Sequence, residues 1–521
     1  MATAVRKVKA AFSSREEFRK ALLAPDAPPE GAAYFNEDLL PTPPERRTWT
    51  ALHFFSYYLT QTFSSGSYNL GATLVSIGLQ WYHGMIAAAV GSVILSAIVL
   101  FVVVRASVAV IYFATQTFYG GMITAVCLRA IFGAGWDRIP NTLPASAGIS
   151  SKNLLAFFIY WILQFPVMFL HPTLLRHLFV VKAVYTTVAL FGVLGWAVHA
   201  NGGSIGSFSY DKQVKLSGAA LVWPMIQAIN SVMGALCPIL INQPDVARYA
   251  TSFSQATWSQ STGILTSKLI VMKSYWNVWD LYDALLTEFW SPGARAGIFF
   301  AAFGMVLATI ATNAGSNSLP VGADGSGLLP RYLTIVRGQV ICAVLAPLCV
   351  PWKIISSAST FLTFLGSYTV FLMPVCGVMV VDYWVLRRGN LHVPSLYTKA
   401  TGTPYAYLHG WNLRAVAAWV AGVAFTVHGI AGSLDPDAVN QASKNIVIWP
   451  VPVYPADHVA ADYDGDTGSF EYMARSEGFF AGENVDRIRG ILVGDHGVVE
   501  YDTPITRGYA SGDEKDRALV A

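Results

Sequence analysis

Two pairs of polar side chains stand four residues apart inside apolar runs: Tyr112 with Gln116, and Asn313 with Asn317. That spacing puts each pair on one face of a helix. A carboxamide offers a donor and an acceptor together, which suits an imide edge, and a phenol ring can stack on a flat molecule. The pairs could grip a planar, hydrogen-bonding ligand. They could equally tie helices together, because an amide in apolar surroundings is costly unless paired. Asp324 is a further candidate, since a carboxylate within or at the edge of a membrane segment is functional by default; a solvated loop charge is the plainer reading. There is no His-rich cluster, no Gly-x-Ser-x-Gly element and no pair of intramembrane carboxylates, so the chain reads as a non-enzyme. Cys127, Cys237, Cys342, Cys349 and Cys376 lie in apolar runs without ligand spacing, and neither a metal site nor a disulfide framework is expected. Asp462 to Asp466 resembles the start of a calcium loop, but Thr467 and Met473 occupy the positions where Gly and Glu are required.

Composition dictates the elements that position these residues. Hydrophobic residues make up 54% and charged residues 12%, where a soluble domain carries about 25% charge. The mean hydropathy is +0.46, and the net charge of +3 is too small to argue for nucleic acid. Apolar segments begin near His53, Met85, Ser107, Asn153, Leu178, Ser217, Arg295, Gln339, Ser357 and Trp411. An all-α integral membrane bundle follows, because in lipid only helices and closed barrels satisfy the backbone. The run from Pro351 ends at Asp382-Tyr383-Trp384 and is followed by Arg387-Arg388, which hold the next loop on the cytoplasmic side. The basic N-terminal tail, Arg105, Arg176, Lys182, Arg248, Arg331 and Arg337 are cytoplasmic under the same topology. Residues 1–50 lack a signal peptide and read as a cytoplasmic tail, 51–432 as the membrane domain, and 433–521 as a polar, acidic, largely disordered tail.

Two stretches resist that topology. Between Met85 and Leu128 only Arg105 interrupts the apolar run, so two segments meet without a loop. Between Tyr249 and Arg295 no credible span occurs, although a crossing is needed for Arg248 and Arg331 to share a side; Gly263 to Met272 is short and holds Lys268. Two segments look broken: the first holds Gly66, Gly71 and Gly78, and the sixth holds Gly234 and Pro238 ahead of Asn242-Gln243-Pro244-Asp245. Matched interruptions in two halves point to a transporter site near the bilayer midplane; packing glycines are the alternative.

Several stretches together resemble one family. Leu40-Pro41-Thr42-Pro43-Pro44-Glu45-Arg46-Arg47-Thr48-Trp49, Arg105-Ala106 with Tyr112 and Gln116, Ile241 to Tyr249, Thr312 to Asn317, and Pro351 to Gly389 stand in the order found in the nucleobase:cation symporter-1 family, in its fungal uracil/allantoin-permease branch. The resemblance covers roughly residues 36 to 432. It implies a LeuT-type inverted-repeat bundle of about 10–12 transmembrane helices and proton- or sodium-coupled import of a nucleobase, allantoin or related small heterocycle, uracil-type first, with a nucleoside or thiamine-type vitamin as the alternative. By resemblance, Asn317 reads the substrate edge beside Gln116, Tyr112 replaces the family's usual stacking Trp, and Asn313 lies on the same face. Ala235 and Leu236 fall in the unwound part of the sixth helix, with Leu236 where relatives carry an aromatic ring. Ala72 and Thr73 match small residues of the first helix. Thr312 matches one of two hydroxyls that hold sodium in some relatives; its neighbour Ala311 lacks the other, so a proton is the expected coupling ion, with Asp324 matching an acidic residue of the branch. Arg248 and Asp382 would anchor helix ends. No cofactor is implied. The expected partners are a small heterocycle and the lipid bilayer of the plasma membrane, for a monomer or weak homo-oligomer with a cytoplasmic N-terminus.

Relatives carry three parts that read as missing or degenerate here: a polar loop between the second and third helices, a full seventh helix and a twelfth. The first two coincide with the topology faults. They imply a truncated gene model or a non-transporting paralogue, and, without a seventh helix, an eighth that inserts backwards so that Asn317 misses Gln116.

Overall fold

Hydroxyls that turn back on their own helices let long apolar runs carry polar side chains. Thr117, Thr124, Thr187, Thr309 and Ser318 each donate to the carbonyl four residues earlier at 2.7–2.9 Å, which satisfies the hydroxyl locally. The structure, a computed structural model, describes residues 13–24, 38–39, 42, 44–62, 102–200, 243–252, 277–354, 370–375, 377–379, 381–386, 407–408 and 411–434, with isolated positions between. Its principal helices are α1 Arg15–Leu22, α2 Ala51–Thr62, α3 Val102–Phe132, α4 Ser151–Gln164, α5 Pro172–Ala200, α6 Val278–Glu288, α7 Pro292–Thr312, α8 Leu319–Leu328, α9 Ile335–Leu345 and α10 Leu413–Leu434. Ser150, Ser291 and Thr334 cap α4, α7 and α9 by accepting from the third amide onward. No strand occurs among the described residues; Trp49 and Ala250 form one isolated parallel bridge.

Four described stretches are long and apolar enough to cross a membrane: Val108–Phe132, Ala145–Phe169, Pro172–Trp196 and Pro292–Leu328. The α3 stretch is largely buried, whereas those of α4 and α5 show most of their surface outward. Thus α3 is the central helix, packed by α4, α7 and α8, and α5 joins α2 to α7. Val181, Val184, Val188 and Phe191 of α5 face outward, as suits lipid.

Several expectations change. Arg105 lies in the first turn of α3 rather than between two segments. Lys182 is not at a membrane edge: it lies inside α5 and is fully buried. Asp324 is no loop charge; α8 contains it and buries it. Asp382 lies in a π turn that runs over Val381–Leu386. Between Tyr249 and Arg295 the described part includes the short α6, while Gly263 to Met272 lies outside the described residues, as do Gly66, Gly71, Gly78, Gly234 and Pro238. Nor does the eighth segment point its amides away from α3: Asn313 donates to Phe113 O and to Thr117 Oγ1. Side-chain satisfaction, rather than loop parity, fixes that register.

Of the basic residues assigned to one side, Arg176, Arg248 and Arg337 gather at one end. Arg176 donates to Thr48 O at 2.6 Å and Arg248 to Thr42 Oγ1 at 2.9 Å. Arg337 donates to Leu22 O at 2.7 Å and Leu23 O at 3.0 Å. At the other end of α3, Arg129 pairs with Asp283 at 2.7 Å and Asp137 at 3.1 Å.

Candidate functional site

Pro320 shapes the site. It has no N–H for the carbonyl of Ser316, and its ring crowds that carbonyl. Between α7 and α8 the backbone opens into a π turn over Asn313–Ser318, with all six residues buried. Such single turns occur mostly at functional sites. Gly315 is required there, because a Cβ would stand 2.7 Å from Phe179 Cζ and 2.8 Å from Tyr57 Cε2. The Tyr57 hydroxyl lies 3.0 Å from Ser316 Oγ, which joins α2 to the turn.

The turn lies against α3 at the level of Phe113 and Thr117. Asn313 Nδ2 donates to Gln164 Oε1 at 3.0 Å, Thr117 Oγ1 at 3.2 Å and Phe113 O at 3.3 Å. Asn317 Nδ2 donates to Asn313 Oδ1 at 2.8 Å. Asn313 is therefore fully engaged by protein and has no atom left for a ligand. Gln116, 7% exposed, buries an Oε1 that has no partner among the described residues, and such an orphan acceptor requires an explanation. Tyr112 is half-buried one turn earlier on the same helix. The structure thus brings Asn313 and Asn317 to the part of α3 that carries Tyr112 and Gln116.

It does not bring Thr312 and Asp324 together, since twelve residues of helix, about 18 Å at 1.5 Å per residue, separate them. Thr312 meets Lys182 instead: the ammonium donates to its hydroxyl at 2.8 Å, and the hydroxyl donates to Ala308 O at 2.9 Å. Among the described residues no carboxylate lies within ion-pair range of Lys182. Ala72, Thr73, Ala235 and Leu236 lie outside the described residues.

Thr117 and Gln164 escaped the sequence reading, and Lys182 was read as a cytoplasmic charge. Thr117 is next to Gln116 and reads as an ordinary hydroxyl. Gln164 closes an apolar run just before Pro166, so it reads as a helix end. Lys182 has Val180, Val181, Ala183 and Val184 around it; that apolar flank is the signal that it sits inside a segment.

Comparisons with known proteins bear on this geometry. The family described as permeases for cytosine/purines, uracil, thiamine and allantoin matches residues 41–102 and 99–449. The two matched pieces overlap at residues 99–102, at the start of α3. The chain is 29% identical to the uracil permease of Saccharomyces cerevisiae over 451 residues, 78% of this chain and 71% of that protein. It is 28% identical to the allantoin permease of the same yeast over 446 residues, 77% and 70% of the two chains. A solved structure of Mhp1, a nucleobase-cation-symport-1 family transporter in a closed conformation with bromovinylhydantoin bound, superimposes with a TM-score of 0.60 at 17% identity, covering 88% of this chain and 99% of that one. The fold is that LeuT-type helical bundle.

Proposed function

This chain belongs to the family of permeases for cytosine/purines, uracil, thiamine and allantoin, and from that premise we propose that it is a secondary active transporter importing a nucleobase-type heterocycle, uracil or allantoin first, by alternating access. The observation that carries the reading is Gln116, a buried amide whose acceptor lacks a partner beside the amide-bearing π turn. A flat imide or ureide would supply the missing donor, and Tyr112 a face on which to stack. Asn317 offers a second polar contact, with Asn313 behind it.

The proposed coupling ion is a proton. A sodium ion wants several oxygen ligands. Here Ala311 offers no hydroxyl, and the Thr312 hydroxyl is already held by the Lys182 ammonium. A lysine nitrogen already bonded to the one hydroxyl offered to a metal cation supports proton over sodium coupling, with Lys182 joining Thr312 and Asp324 as coupling candidates. The end that gathers Arg176, Arg248, Arg331 and Arg337 is proposed as cytoplasmic, and the membrane as the plasma membrane.

The test is radiolabelled uptake of uracil, allantoin and uridine in yeast lacking its own base permeases, with the unaltered chain and with Gln116→Ala. Saturable uptake of one heterocycle, lost in Gln116→Ala, is expected. Uptake should follow the pH gradient and ignore sodium, and Lys182→Met should abolish pH-driven accumulation. A chain at the cell surface that takes up none of the three would sink the proposal and leave the non-transporting paralogue.

A further inference from the structure

The hydrogen bonds around the π turn run in one direction, and a main-chain carbonyl sets it. Phe113 O can only accept. It receives the Thr117 hydroxyl at 2.8 Å and Asn313 Nδ2 at 3.3 Å. With its proton committed there, Thr117 Oγ1 must accept from its other neighbour, and Gln164 Nε2 donates to it at 2.8 Å. Gln164 then has its oxygen toward Asn313, whose Nδ2 donates to it at 3.0 Å. The nitrogen of Asn313 faces three acceptors, so its oxygen faces Asn317 and accepts from Asn317 Nδ2 at 2.8 Å. What remains on Asn317, a side chain 5% exposed, is one Nδ2 hydrogen and Oδ1, its one acceptor, which has no hydrogen-bond partner among the described residues. A free carboxamide could turn either end toward a ligand. This one cannot turn without setting nitrogen against nitrogen and oxygen against oxygen along the chain of amides.

We propose that Gln164, fully buried on α4 and away from the ligand, is a positioning residue that holds Asn317 as an acceptor, so that the site selects heterocycles presenting an N–H at that position. The inference rests on the transporter reading above and adds to it a rule for the substrate: the edge facing Asn317 is a donor, matching the unpartnered acceptor of Gln116. Ring nitrogens that only accept, and N-methylated analogues, are rejected there. Without Gln164, Asn313 keeps only its two longer bonds, to Thr117 at 3.2 Å and Phe113 at 3.3 Å, and Asn317 becomes free to present either end.

Radiolabelled uracil uptake is measured with 1-methyluracil and 3-methyluracil as competitors, each lacking one N–H. In the unaltered chain, methylation at the N–H that is read should weaken competition by about tenfold to a hundredfold, the cost of leaving a buried polar group unpaired. Gln164→Met should narrow that gap to within about threefold. Gln164→Glu should retain it, because a buried carboxyl stays neutral, with one oxygen accepting from Asn313 and its O–H donating to Thr117 Oγ1. Should Gln164→Met not reach the membrane, Thr117→Val breaks the same relay and should narrow the gap likewise. An unchanged gap in the variant that reaches the membrane overturns the positioning role. A second measurement needs no substrate. In detergent, Gln164→Glu should unfold near the unaltered protein, whereas Asn313→Asp, which turns an oxygen on three acceptors, should unfold well below it; the reverse order overturns the direction of the amides. If the unaltered chain takes up no probe, the transporter reading fails and takes the substrate rule with it, while the order of unfolding still decides the direction.

Discussion

At the scale of the residue, Gln339 and Gln116 each bury an amide oxygen without a partner among the described residues, and removing it should have opposite consequences for function. Gln339 is fully buried on α9, and both its oxygen and its nitrogen are unsatisfied. Leaving a buried polar group unpaired costs about 1–3 kcal/mol, and an apolar replacement of similar shape removes that cost. Gln339→Met should therefore raise the unfolding midpoint in detergent, by about 1 kcal/mol or more, with uptake unaltered. Gln116→Met should also gain stability but lose uptake, the trade expected where a site holds a polar group ready for its ligand. A fall in uptake for Gln339→Met at equal surface level would move that residue from packing to function. The contrast marks how far the site was legible. Gln116 stood out because a Tyr lies four residues before it, and Asn317 because Asn313 does. Gln339 read only as the start of an apolar segment, since nothing in a linear sequence tells which face of a helix meets a partner. The relay from Phe113 to Asn317 was hidden for the same reason: Thr117, Gln164 and Asn313 lie 47 and 149 residues apart along the chain.

Between elements, glycines set the approach of α3 to α4. A Cβ on Gly121 would stand 2.7 Å from the Phe157 Cα, and one on Gly120 would fall within the Tyr160 ring. Backbone cannot step aside as a flexible side chain can, so Gly121→Ala should separate the two helices and cost about 1–3 kcal/mol. Gly135→Ala, with open space around it, is the control, and the difference in unfolding midpoint between the two is the readout. An equal midpoint for both would mean that α4 docks elsewhere. Most long helices were legible because runs of about 20 apolar residues have few other fates, but their starts were not. The fifth segment was read from Leu178, whereas α5 begins at Pro172, because Arg176 and His177 look like loop until their partners are known. The π turn had a signal, Pro320 four residues after Ser316, yet proline in a membrane helix permits a kink, a π turn or a break, and only packing chooses. Lys182 was misplaced by counting positive charges alone, a rule for loops that says nothing of a cation bonded inside the bundle.

The whole molecule is drawn together at one end by a length of chain outside the bundle. Trp49 pairs through its backbone with Tyr249 and Thr251 at 2.8 and 2.9 Å, and its ring packs on Phe54, Tyr57, Phe179 and Tyr249. Earlier in the chain, Asp38 accepts from the Ile335 amide at 2.9 Å and lies 3.9 Å from His171, while Ala24 N donates to Arg331 O at 2.7 Å. Leu22 to Ala24, Asp38, Thr42, Thr48 and Trp49 thus bridge α2, α5, the stretch 243–251 and the turn before α9, and any motion that opens this end must break some of these bonds. Burial alone would push the Asp38 carboxyl up, but the nearby His171 ring, the Ile335 amide and the charge of Arg248 outweigh it and hold it below the usual carboxylate range. A depressed folded value means that the stabilisation is fully present above the unfolded value, about 3.9, and is lost as pH falls through the lower folded one. The segment should therefore stay docked at pH 5, within the range where a proton-driven importer works, and loosen only below the ordinary carboxylate range. Hydrogen exchange at the Ile335 amide is the measurement: slow and equal at pH 7 and pH 5 after correction for intrinsic rates, and faster at both in Asp38→Asn, which loses the charge but keeps the shape. Faster exchange already at pH 5 in the unaltered protein would mean that Asp38 titrates within the working range, and that this end of the molecule loosens as the cell acidifies.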